Sequence, residues 1–143
     1  MIRLIFTLTI LATVASTAQA KCVKKTIFAC STTNGKQVEV CDNGDTLEYS
    51  FGKPGKLEKN FKIERTNAST YQWNGMGRYM NYTVELPTGD TVYSIFTGAD
   101  KIDMKSESGV NVSVKGKNVA TVKCNEKKKM TVDIEGIDLK PAE

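Results

Sequence analysis

From Lys25 onward the chain alternates apolar and polar residues with a period of two, broken by turn dipeptides roughly every eight to twelve residues, which is the rhythm of antiparallel strands with one buried face. Leu47, Tyr49 and Phe51 share one face of a strand whose other face carries Thr46, Glu48 and Ser50. Met80, Tyr82, Val84 and Leu86 alternate in the same way with Asn81, Thr83 and Glu85, and Val110, Val112 and Val114 with Asn111, Ser113 and Lys115. Asn34-Gly35, set between KTIFACS and QVEVC, predicts a two-residue type I′ hairpin, because both central positions of that turn need positive φ. In that register Phe28 faces Cys41 and Cys30 faces Glu39. A weaker strand runs from Leu57 to Glu64, and the last from Met130 to Ile134. Many short strands joined by tight turns avoid exposed edges by closing on themselves. The expected fold is therefore all-β, a small antiparallel up-and-down β-barrel of eight or nine strands, with no helix.

The segment before this pattern differs. Residues 1–20 carry one basic residue, Arg3, then an apolar run from Leu4 to Ala15, and end on Ala18-Gln19-Ala20. They read as a secretory signal peptide with an A-x-A cleavage site, too short for a spanning helix and so no stable membrane anchor. Residues 21–143 then form a single β-barrel domain, expected to be periplasmic or secreted. Loss of Arg3 lowers the formal net charge from +4 to +3. The lysines are scattered, with Lys127-Lys128-Lys129 the densest run, so no nucleic-acid surface is expected.

Composition narrows the chemistry further. Cysteines 22, 30, 41 and 124 are an even set, which in an exported chain points to two disulfides and a disulfide-stabilised fold. There is no C-x-x-C element and no histidine, so no metal or other cofactor is expected. The missing histidine also excludes Ser-His-Asp and Cys-His nucleophile arrangements. Asp42, Asp45 and Glu48 cluster at Asp42-Asn43-Gly44-Asp45, which reads as turn chemistry, with Asx side chains bonding nearby backbone. The expectation is a protein that is not an enzyme.

One stretch asks for another explanation. WNGMGRY, residues 73–79, combines the chain's only tryptophan with two glycines and an Arg-Tyr pair between two predicted strands. Trp73 reads either as a capping core aromatic, its indole N–H on a loop carbonyl, or as the base of a presented loop. In the second reading Asn74, Gly75, Arg78 and Tyr79 form a partner-binding site, since Arg and Tyr are the residue types that anchor interfaces.

The order FAC (28–30), LEYSF (47–51), GMGRY (75–79), TVYSIFTG (91–98) and VKC (122–124) resembles the bacterial periplasmic and membrane-bound inhibitors of c-type lysozyme. Those are small eight-stranded barrels that present a Ser-Gly-x-Arg/Lys-Tyr loop. Arg78 and Tyr79 match the family's basic-aromatic pair, with Gly75 in place of its Ser and Met76 in place of its Gly. The resemblance implies a lysozyme-type hydrolase as partner, with the loop entering its cleft and the Arg78 guanidinium offered to its catalytic carboxylates. It also implies a Cys30–Cys124 bond, with Cys22–Cys41 pinning the N-terminal arm. The residues alone put Cys30 and Cys41 diagonally across the hairpin, near the upper limit for bridging. The expected function is non-enzymatic protein binding through the 74–79 loop. The alternative is a barrel holding a small apolar ligand against Tyr49, Phe51, Met80 and Tyr82.

Overall fold

Alternation puts large apolar side chains on one side of most of the long strands, and in the computed structural model, which describes residues 22–143, those sides face each other. The signal-peptide expectation, with Lys21, lies outside the described residues. The strands are β1 (Lys25–Ser31), β2 (Gln37–Asp42), β3 (Thr46–Lys53), β4 (Lys56–Glu64), β5 (Ser69–Gln72), β6 (Tyr79–Thr88), β7 (Thr91–Asp100), β8 (Ser106–Val114), β9 (Lys117–Lys123), β10 (Thr131–Val132) and β11 (Lys140–Pro141). A 3-10 turn at Arg65–Asn67 separates β4 from β5.

The chain is all-β among its described residues, and its long strands follow one another up and down. They form two sheets, ordered β10-β1-β2-β3-β4 and β11-β5-β6-β7-β8-β9, where a single closed ladder was expected. The ladder is interrupted at two seams. Between β9 and β1 backbone pairing shrinks to one antiparallel bridge, Thr32 to Cys124. Between β4 and β5 the 3-10 turn carries the chain from one sheet to the other, and side chains rather than a ladder hold the seam. Arg65 Nη1 donates to both carboxylate oxygens of Asp42 at 2.7 and 2.8 Å, while Nε and Nη2 donate to the Asp138 carbonyl at 3.1 and 2.8 Å. Burial raises the Asp42 pKa, but the Arg65 hydrogen bond, the Gly44 N–H and the charges of Arg65 and Lys25 together outweigh it and leave the carboxyl below its ordinary range. Asp42 is thus occupied in holding the seam, with Gly44 N–H on its Oδ1 at 2.9 Å as turn chemistry requires.

Between the sheets lie Ile27, Phe28, Val38, Val40, Leu47, Tyr49, Val84, Leu86, Ile95, Val110 and Ile134, all nearly inaccessible to solvent. Tyr49 of β3, Phe61 of β4 and Tyr93 of β7 form a three-ring cluster with centroids 4.9 to 5.2 Å apart, tying one sheet to the other. Burial pushes the Tyr49 hydroxyl well above the usual tyrosine range, and the neighbouring Tyr93 adds to the shift. Two disulfides, Cys22–Cys41 and Cys30–Cys124, are present, with Cα atoms 5.3 and 5.7 Å apart. The second joins β1 to the residue after β9, across the seam that backbone pairing leaves nearly open.

Three local expectations need correction. The first hairpin is not a two-residue type I′ turn. Thr32 N–H bonds the Lys36 carbonyl and Gly35 N–H bonds the Thr32 carbonyl, closing a three-residue loop in which Gly35 alone has positive φ, at 78°. Asn34 stays out of the left-handed region, and its side chain takes bonds from the Thr32 hydroxyl and the Lys36 N–H. One extra loop residue slips the register, so Cys30 faces Val38 and Phe28 faces Val40, and a bulge between Thr26 and Phe28 slips it one residue further, placing Thr26 opposite Cys41. The second correction is β5, which the sequence reading passed over: it is four residues long, and the side chain it buries is Thr70, whose hydroxyl donates to the Thr83 carbonyl at 2.6 Å. The third concerns the C-terminus. The expected strand over Met130–Ile134 shortens to Thr131–Val132, and the tail then crosses between the sheets. Ile134 is fully buried, Gln72 bonds both the Ile134 carbonyl and the Gly136 N–H, and Lys140–Pro141 runs parallel to β5.

Candidate functional site

The register of β6 and β7 pairs Tyr79 with Asp100, and that of β7 and β8 pairs Ala99 with Ser106. The segments just outside these pairs, 73–78 and 101–105, therefore emerge side by side at one end of the second sheet. The Lys101 N–H donates to the Arg78 carbonyl at 3.1 Å and stitches them together.

Each loop has its own internal frame. In the first, Trp73 Nε1–H donates to the Met76 carbonyl at 2.7 Å, and the Asn74 Oδ1 accepts the Met76 N–H at 3.1 Å. Gly75 and Gly77 hold φ at 87° and 89°, and a Cβ at either would meet open space, so the requirement is backbone conformation, not room. In the second loop the Asp100 carboxylate caps the turn. Its Oδ1 accepts the N–H of Ile102 at 2.9 Å and of Asp103 at 3.1 Å, and the Met104 N–H returns to the Asp100 carbonyl at 2.9 Å. Met104 itself sits at φ 55°, a conformation costly for a side chain of its size and one that turns up at binding sites.

Arg78 locks the two frames together. Its Nε donates to Asp100 Oδ1 at 2.8 Å, and its Nη2 reaches Asp100 Oδ2 at 2.7 Å and Asp103 Oδ2 at 2.9 Å. This is a fork-to-fork pair of the strong, directional kind. The hydrogen bond from Arg78 holds the Asp100 carboxyl far below the usual range against the opposing effect of burial, with the two turn N–H groups adding to it. Trp73 is only half-buried, its indole on a loop carbonyl and Lys101 Nζ 4.9 Å from its ring centroid, so it braces the loops from outside the core.

The four predicted partner-binding residues are thus all at this end, but their parts differ. Asn74 and Gly75 shape the turn. The Arg78 fork, expected to face outward to a partner's carboxylates, is taken by Asp100 and Asp103. Tyr79 is presented, 62% exposed, with Arg78 Cζ 5.4 Å from its ring. Met76, inside the predicted loop, is 73% exposed; the neighbours that complete the surface come from the other loop and were not anticipated, Ile102 at 70% and Met104 at 83%. Two apolar residues inside the charged stretch ADKIDMK were the available signal. With no aromatic or glycine to mark it, that segment reads as an ordinary polar turn until the register sets it beside WNGMGRY.

Below the loops, Met80, Tyr82, Ala99, Ser106, Val132 and Glu135 border a hollow of about 230 Å³, where the Tyr82 hydroxyl donates to Glu135 at 3.1 Å. That is under the roughly 300–1,000 Å³ of small-molecule sites. Tyr49 and Phe51, the other residues proposed to line a ligand pocket, do not border it, and Tyr49 is packed among rings. Comparison of the chain with protein-family models, with curated proteins and with solved structures finds no match.

The lock has a pH signature. A carboxyl whose pKa is depressed on folding adds stability that is present above its unfolded value, 3.8 for Asp100, and is lost as the pH falls through the folded value. The melting temperature should therefore decline below about pH 4. Asp100→Asn should make that acid limb shallower, whatever it does to the neutral-pH melting temperature. Equal limbs in the two proteins, followed by calorimetry from neutral to strongly acid buffer, would refute the lock.

Proposed function

We propose that this is a non-enzymatic binding protein of the periplasm or the extracellular medium, which docks another protein on the paired loops 73–79 and 101–105. The two disulfides belong to an oxidising compartment, and among the described residues no helix is long and apolar enough to cross a membrane. In this reading the two sheets act together as a barrel-like scaffold, with the loops as its working end. The observation that carries it is the exposure of Met76, Tyr79, Ile102 and Met104 on two loops held together by one arginine. A soluble monomer gains nothing from locking large apolar side chains into water, whereas clustered exposed apolar groups rimmed by charge mark interaction surfaces. The motif resemblance names a lysozyme-type hydrolase as the partner to try first. Arg78 then acts inside the protein, preorganising the loops, and the apolar residues supply the contact.

The test is inhibition of, and direct binding to, a c-type lysozyme, followed by the same assays on variants. Tyr79→Ala and Met76→Ala should each weaken binding about tenfold or more if they are central anchors, while leaving the melting temperature nearly unchanged because both are exposed. Arg78→Ala should weaken binding and also loosen both loops, seen as faster amide exchange at Lys101 and Met104. A wild-type protein that neither binds nor inhibits lysozyme would remove that partner. Unchanged affinity in Tyr79→Ala and Met76→Ala, for whichever partner is bound, would remove the loop surface.

A further inference from the structure

On the outward face of the first sheet, far in sequence from the loop pair and sharing no residue with it, a groove of about 560 Å³ crosses β1, β2 and β3. Its floor is formed by the outward residues of the three strands, short ones on β1 and β3 (Ala29, Ser31, Ser50, Gly52) with the longer Gln37 and Glu39 of β2 between them. Ala29, Glu39 and Ser50 are cross-strand neighbours, and one step along so are Ser31, Gln37 and Gly52. One wall is the tip of the β3–β4 hairpin, which brings Lys53 against the groove; the other is the segment entering β10, which brings Lys129. The hairpin wall is built by a bulge. The register shifts at Phe51/Gly52, and Gly52 sits at φ 149° with its missing Cβ only 2.6 Å from the Lys56 carbonyl oxygen, so no other residue fits without moving backbone. Such bulges occur where a strand is re-aimed beside a site. Gly52 itself is buried, and beyond it the hairpin tip from Lys53 to Lys56 is exposed.

Charge selects the occupant. Lys25, Lys36, Lys62 and Lys123 each have a carboxylate partner; Lys53 and Lys129, like most lysines among the described residues, have none, and they are the two that line the groove. Glu39, in the floor, accepts from the Thr26 hydroxyl at 3.3 Å. Two ammonium groups on opposite walls of a hydroxyl-lined trough, with one carboxylate between them and no aromatic ring to stack a sugar, fit an extended peptide with acidic side chains. We propose that this groove binds a short acidic peptide segment, its carboxylates on Lys53 and Lys129 and a backbone N–H on Glu39.

The probe is the capped tripeptide acetyl-Glu-Ala-Glu-amide, titrated into the isotopically labelled full-length protein and followed by NMR. Amide shifts should map to Ala29, Ser31, Ser50 and Thr131, and the affinity should fall several-fold as salt is raised from about 0.05 to 0.3 M, because the contacts are exposed. Lys53→Glu combined with Lys129→Glu should weaken it about tenfold or more, and Ser50→Arg should block it by filling the floor. Tyr79→Ala should leave it unchanged, so this site and the loop surface stand or fall separately. The proposal is overturned if the groove amides do not shift, if acetyl-Gln-Ala-Gln-amide binds equally well, or if an oligogalacturonate binds there and the acidic peptide does not.

Discussion

Replacing Cys30 and Cys124 together by alanine should destabilise the protein by about 4–5 kcal/mol, because the bond closes a loop of 94 residues and the loss of chain entropy in the unfolded state grows with the logarithm of that length. The Cys22–Cys41 bond spans 19 residues and should be worth about 3 kcal/mol on the same model. The ordering has a structural reason as well. Cys30 and Cys124 cross the seam where β1 and β9 share only the Thr32–Cys124 bridge, so without the bond the sheets are held there by packing and one pair of backbone contacts. Cys22 ties down only the short segment just ahead of β1. Denaturant unfolding of the two double variants under non-reducing conditions decides the matter. Equal losses, or a larger loss from the Cys22/Cys41 variant, would mean that the seam is closed by something other than the disulfide.

The second large effect should come from Tyr49→Ala, at about 3–5 kcal/mol for a buried aromatic removed from a packed core. Tyr49 is 1% exposed and touches Phe61 within its own sheet and Tyr93 in the other, with centroids 5.2 and 5.0 Å away. Its removal takes away both the area it buries and the ring-to-ring contacts that add to area alone. Phe61→Ala should cost less, because that ring lies on the edge strand β4 and keeps partial solvent contact. Should Tyr49→Ala cost under about 1 kcal/mol, far below the usual price of a core cavity, the interior would not be filled as described and the apolar-ligand alternative would return. The same variants should leave binding at the loop pair untouched once correction is made for the fraction folded, since none of these rings reaches that end.

Much of the candidate site was legible in sequence, though not what each residue does there. The scarcity of tryptophan, the glycine pair and the Arg-Tyr pair marked WNGMGRY without any structure. What they did not show is that Arg78 would be claimed from within. The claim comes from Asp100 and Asp103, more than twenty residues away, and nothing local to either segment announces the other. The same limit hid Ile102 and Met104, whose exposure matters only because Tyr79 and Asp100 are opposite one another in the sheet.

Strand identity was set by the chain itself. Period-two alternation is a local property, since each residue's side of the strand follows from its neighbours, and so β1–β4 and β6–β9 could be found by pattern, as could the all-β class and the even, oxidisable cysteine set. Closure was decided elsewhere. Whether the strands make one ladder or two sheets depends on how far a twisted sheet can bend at Arg65–Asn67 and at Cys124, and on an arginine, a disulfide and a C-terminal tail that cross those gaps. The short strand β5, with Thr70 turned inward, and the buried Ile134 of the tail obey tertiary rather than local demands. Their partners lie 13 and 62 residues away. Sequence periodicity reports which face of a segment is apolar, but which distant segment meets that face is settled only when the whole chain packs.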